Sequence, residues 1–151
     1  MLVLLEALKT RYESTDGATV RSYTADRYYL GAGPEKVKHP LIEVVTPGGN
    51  VTEETLACAT PDGARHETVN VDFVIHDDQR NPKRAWQIAD ALKLLYDGKI
   101  LTLSGTTAGN NCMIDVKRQG DGTAVRSFDD DAWSIVVTYQ YKYETIVVGG
   151  G

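Results

Sequence analysis

The sequence predicts a single α+β domain: a mostly antiparallel or mixed β-sheet with two α-helices packed on one face and a projecting β-hairpin. Three observations carry that expectation. Two segments place apolar residues at helical spacing, several others alternate with a period of two, and the order of elements sets both helices against one sheet face. A chain of 151 residues is one domain's worth, and buries roughly 68–70% of its unfolded surface around one core. Its 42% apolar and 25% charged residues match globular averages and argue against a disordered chain.

The first helix is expected over residues 1–13. Leu4, Leu5, Leu8 and Tyr12 fall on one side of a helical wheel, with Glu6, Lys9 and Glu13 on another. Asp16-Gly17 is expected to end it, the glycine taking a left-handed cap. Residues 14–36 show no period and are rich in Gly, Ser, Thr and Tyr, so they read as a long, partly extended loop closed by Gly31-Ala32-Gly33-Pro34. Residues 40–45 form a short apolar strand starting at a proline, which has no ladder donor to offer. The turn signals Pro47-Gly48-Gly49-Asn50 and Pro61-Asp62-Gly63 bracket the outer arm of a hairpin that projects over residues 46–66. Beyond it Val69, Val71, Phe73 and Ile75 alternate with Thr68, Asn70, Asp72 and Val74, the pattern of a half-buried strand.

The second helix is expected over residues 82–96, with Asn81 as N-cap, Pro82 at the first position and Gly98 as the stop. Ala85, Ile88, Ala89, Leu92, Leu95 and Tyr96 fill an arc of about 120°, the width of a core-facing stripe. Trp86 and Leu94 lie outside that arc. Strands follow at residues 100–103 and 112–118. The clearest one comes last, with Trp133, Ile135, Val137, Tyr139, Tyr141 and Tyr143 on one face. Residues 145–151 read as a flexible tail.

The search for chemistry ends empty. A net charge of −5 lacks the basic excess of a free-standing DNA binder. Cys58 and Cys112 fall short of a disulfide framework or a four-ligand zinc set. Nothing at the start resembles a signal segment and no apolar run could span a membrane, so the chain is expected to fold inside a cell. There is no nucleophile elbow, P-loop or dinucleotide fingerprint. His39, His66 and His76 are scattered. The acidic runs His76-Asp77-Asp78 and Asp129-Asp130-Asp131 are the only candidates for a divalent cation, and neighbours on an extended segment point to opposite faces. No catalysis, cofactor or metal is therefore expected. Tyr23, Tyr28 and Tyr29 lie in the supposed loop, where large aromatics either mark a contact surface or fold back onto the core.

The element order does resemble a known family. An amphipathic helix at the start and short strands with an extended hairpin are followed by the helix containing Ala85, Ile88, Ala89, Ala91 and Leu92. The closing strand pattern Asp130-x-x-Trp133-x-Ile135-x-Val137-x-Tyr139 completes a resemblance to the tail-terminator (tail-completion) proteins of long-tailed bacteriophages, over residues 1 to about 145. The resemblance implies a virion structural protein, assembled in the host cytoplasm, that forms a ring, typically hexameric, at the head-proximal end of the tail tube. Such a ring stops tube growth and presents the head-joining surface. Its implied partners are its own copies, the tail tube protein and a head-completion or neck protein, with DNA only as passing cargo. Six copies at −5 each carry −30, which keeps passing DNA from sticking. Alternatives are a head-completion or connector protein of the same virion, or a small metal-dependent hydrolase or nuclease built on the acidic runs. Candidate subunit or partner contacts are Trp86 and Leu94 on the outer helix face, Tyr23, Tyr28 and Tyr29, and the hairpin residues Gly48, Gly49, Asn50, Asp62 and Gly63. Trp86 either meets a neighbouring subunit or tucks under residues 17–34 of its own chain.

Overall fold

The computed structural model describes residues 2–36, 38–47, 50–54, 63–103, 112–129 and 131–147. In chain order these form α1 (Leu2–Glu13), a 3-10 turn (Thr15–Gly17), α2 (Ala18–Thr24), β1 (Tyr28–Leu30), β2 (Leu41–Val45), β3 (Asn50–Glu54), β4 (Gly63–Asp77), α3 (Lys83–Tyr96), β5 (Cys112–Asp121), β6 (Val125–Ser127) and β7 (Ala132–Val147). The expected α+β domain is what the chain adopts.

β4 and β7 are the spine of the sheet, antiparallel and in unbroken register from Gly63 opposite Val147 to Asp77 opposite Trp133. The sheet order is β1-β2-β4-β7-β5, with β3 also on β4 and β6 also on β7. Among the described residues every ladder is antiparallel except β1 on β2. The alternation read from the sequence sets the faces. Val69, Val71, Phe73 and Ile75 point inward beside Tyr141, Tyr139, Val137 and Ile135, and all eight are fully buried. Leu4, Leu8 and Tyr12 of α1 and Ile88, Leu92 and Tyr96 of α3 close over them. Each such side chain contributes roughly 1.5–3 kcal/mol by leaving water.

The other face of the sheet is polar and paired across strands. Thr138 Oγ1 donates to Asp72 Oδ1 at 2.7 Å, and His66 meets Glu144 at 2.9 Å. His76 Nδ1 meets Ser134 Oγ at 3.0 Å while its Nε2 faces Glu43 at 3.5 Å.

α3 begins at Lys83, one residue later than expected, with Pro82 rather than Asn81 at the N-cap position. Asn81 Oδ1 accepts from the Lys83 N–H at 3.1 Å, and the Trp86 N–H reaches back to Pro82 O at 3.0 Å. It ends where Gly98 takes a φ of 62°, a left-handed value that glycine adopts without steric cost. Tyr96, on the last turn, stacks on Phe73 at 4.8 Å between ring centres, so α3 stops part-way along β4. The 15 residues of β4 span about 50 Å and the 14 of α3 only about 21 Å. β4 therefore runs on past α3, flanked by β3 and β7; of the hairpin expected over residues 46–66, residues 48, 49 and 55–62 lie outside the described residues.

Five expectations are corrected. Residues 14–36 are not one long loop: they hold the 3-10 turn, α2 and the edge strand β1. At seven residues α2 is too short for a helical period to show, and tertiary contacts hold it instead. The Tyr12 hydroxyl donates to Thr24 Oγ1 at 2.6 Å, because the Thr24 proton goes to Val20 O. Arg21 donates to Ser14 O at 2.6 Å and also to Tyr12 O. Gly17 is not a left-handed cap, since its φ is −80°. It is small because a Cβ there would lie 1.9 Å from Tyr12 O.

The signal at residues 47–50 does not reverse the chain. β2 and β3 lie along the same edge of β4, and four residues, 46–49, intervene where β4 supplies only Asn70 and Val71. Residues 100–103 form no strand. Leu101 and Leu103 are buried as alternation predicts, but the segment runs beside α1, where Leu101 and Thr102 line a groove with Ala7 and Thr10, and it pairs with no strand among the described residues. Lastly, residues 145–147 are not tail, because β7 pairs with β4 as far as Val147.

Candidate assembly surfaces

The acidic runs are drawn apart by the fold. Asp77, fully buried at the end of β4, accepts from Arg84 Nε at 2.9 Å and from the same guanidinium's Nη2. It also takes the Gln79 N–H at 3.2 Å, so it fastens the β4–α3 corner. Asp78 faces His39 at 3.7 Å, and His76 turns to Glu43. Asp131 pairs with Arg126, while Asp130 lies outside the described residues. Among the described residues no three His, Cys, Asp or Glu side chains gather as a metal set. No helix among them is long and apolar enough to cross a membrane.

The tyrosines divide. Of the two readings left open for Tyr28, it takes the core one rather than a contact surface: it is 5% exposed and its ring stacks on Tyr12 at 4.3 Å. Its hydroxyl donates to that of Tyr96 at 3.4 Å, because the Tyr96 proton goes to Leu8 O at 2.8 Å. Tyr23 is half-buried against the core and Tyr29 is half-buried on β1. Gly48, Gly49 and Asp62 lie outside the described residues. Asn50 and Gly63 are placed by their backbones, opposite Val69 and Val147.

Trp86 and Leu94 also separate. Trp86 is half-buried and packs on the core of its own chain, whereas Leu94 is 81% exposed. Around Leu94 the ends of α1 and α3 leave a groove lined by Arg11, Asp16, Thr19, Ala91, Leu95 and Lys99. Arg11 joins its walls, donating to Leu95 O at 3.0 Å and pairing with Asp16 at 3.1 Å. Ile100, 63% exposed, borders a second groove that shares Arg11 and Asp16 with the first. A second apolar surface lies at the β6–β7 turn, where Phe128 is 94% and Val125 60% exposed. That turn stands at the other end of α3, since Trp133 Nε1 donates to Arg80 O at 3.4 Å. Ile100, Val125 and Phe128 were not singled out from the sequence. For Val125 and Phe128 the available signal was two large apolar residues in a stretch, 119–131, otherwise made of Gln, Gly, Asp, Thr, Ala, Arg and Ser.

No protein-family model matches this chain, and no curated protein does. Among solved structures it matches a chain of the "Virion of native gene transfer agent (GTA) particle", with a TM-score of 0.63. The match covers 91% of this chain and 91% of that chain, at 13% sequence identity. In fold, this chain is similar to a virion chain. The likeness extends over the architecture as a whole rather than one motif, and at this identity it is a likeness of fold.

The two outer-face residues of α3 give opposite expectations. Trp86→Ala lowers stability by about 2 kcal/mol, roughly half the loss of a fully buried aromatic. Leu94→Ala changes it by less than about 0.5 kcal/mol, as at other exposed positions. Urea unfolding of both variants checks this, and a neutral Trp86→Ala would contradict the packing described.

Proposed function

We propose that this chain is a virion structural protein without catalytic activity, which assembles with its own copies into a ring, hexameric as in the tail-terminator family it resembles. The observation that carries this reading is the fold similarity to a chain of the gene transfer agent virion over nine-tenths of both chains. In this role the ring caps the head-proximal end of a tail tube, stops its growth and offers a surface to a head-completion or neck protein. The exposed apolar residues at both ends of α3 suit subunit contact, since interface centres favour apolar and aromatic groups over charge. The polar sheet face and the net charge of −5 suit a passage for DNA that does not bind it.

Particles produced without the chain test the role. Tails of uncontrolled length that fail to join heads are expected. Normal-length tails on filled heads would overturn it.

A further inference from the structure

We propose that the β6–β7 turn of one subunit seats in the groove at the α3 end of the next copy, Phe128 against Leu94 and Ile100, and Asp129 against Lys99. This rests on the ring reading and names the contact that would build it. The two surfaces are complementary in shape class and charge. One is a protruding aromatic at a turn, almost wholly exposed, with Val125 beside it; the other is a groove flanked by two exposed aliphatic residues. Each also carries an exposed charge with no ion pair among the described residues, negative at Asp129 and positive at Lys99. Among the described residues the charges beside them are matched at home, Arg126 with Asp131, Arg11 with Asp16, Lys93 with Asp90 and Arg118 with Asp97.

The two surfaces lie at opposite ends of α3, about 20 Å apart by its length, so one chain cannot satisfy both. A surface that meets a different surface of an identical copy makes a head-to-tail contact, and such contacts close into rings when the rotation allows. An aromatic anchor ringed by polar groups is also the usual make-up of the residues that dominate an interface.

Charge exchange tests it, with assembly followed by sedimentation over a concentration series and folding by thermal melting. Phe128→Ser is expected to raise the assembly midpoint about thirtyfold with the melting temperature unchanged. Asp129→Lys and Lys99→Asp should each weaken assembly, and the double variant should return to within about threefold of wild type, as a direct pair requires. If the wild-type chain forms a closed oligomer and none of these variants alters it, this contact is overturned and the ring reading stands. The same holds if the variants assemble normally and lose only binding to tail tubes, since the surfaces would then meet another protein. A wild-type chain that stays monomeric overturns both.

Discussion

Raising the pH above 10 unfolds this protein in one steep step. Burial raises the phenol pKa of Tyr28, Tyr96 and Tyr141, which are 5%, 0% and 0% exposed. The Tyr141 hydroxyl has no hydrogen-bond partner among the described residues, so nothing offsets its desolvation. In the unfolded chain each of these phenols ionises near pH 10. Below that value both states keep the proton and pH has no effect through these groups. Above it the unfolded chain alone releases the proton, and stability falls by about 1.4 kcal/mol per pH unit for each tyrosine until its folded pKa is reached.

Three such groups lose about 4 kcal/mol per unit, against a total stability of about 5–15 kcal/mol for an ordinary domain. Tyr12 and Tyr143 shift in the same direction, by burial first, and add to the slope. Phenolate absorbance and circular dichroism followed over one titration check this. Both should change together, by about pH 12. Ionisation of these tyrosines near pH 10 with the fold intact would contradict it.

Phe73→Ala is the substitution expected to cost most. Phe73 is fully buried, its ring stacked on Tyr96 and edge-on to Tyr139 at 5.8 Å, where α3 meets the middle of the sheet. Removing the ring leaves a cavity between two layers that cannot close together, with a loss of about 3–5 kcal/mol. Of that loss, the two aromatic pairs account for about 0.5–1.5 kcal/mol each. Val74, the next residue along, faces the half-buried polar side, opposite Val136, so Val74→Ala costs under about 1.5 kcal/mol. Urea midpoints of the two variants rank the faces of β4. The reverse order would mean that the sheet presents its other side to the helices.

What the sequence revealed, and what it hid, follows from the range of the interactions involved. β4, β7 and α3 were legible because burial on one face imposes a period of two or 3.6, and each element is long enough to show it. α2 was hidden because it is held by Arg21 and Tyr12 across the corner that Gly17 makes possible, contacts with no period in the sequence. Tyr28 reads equally well as surface or core, because what decides it is the parallel pairing of β1 with β2, which brings its ring onto Tyr12. At residues 47–50 the residue types of a turn served to interrupt one strand edge, because β4 is long enough to template both sides of the break. Leu94 was correctly placed off the core arc. Phe128 leaves no periodic signal, because a lone exposed aromatic has no partner at helical or strand spacing. Residues 55–62 lie outside the described residues.

Assembly is the central claim, and the mass of the purified chain in solution tests it most directly, alone and mixed with tail tubes. A ring gives a single closed species at a fixed multiple of 16.6 kDa, six for the hexamer, which binds one end of a tube. A species of 16.6 kDa at every concentration, with no binding to tubes, would contradict it.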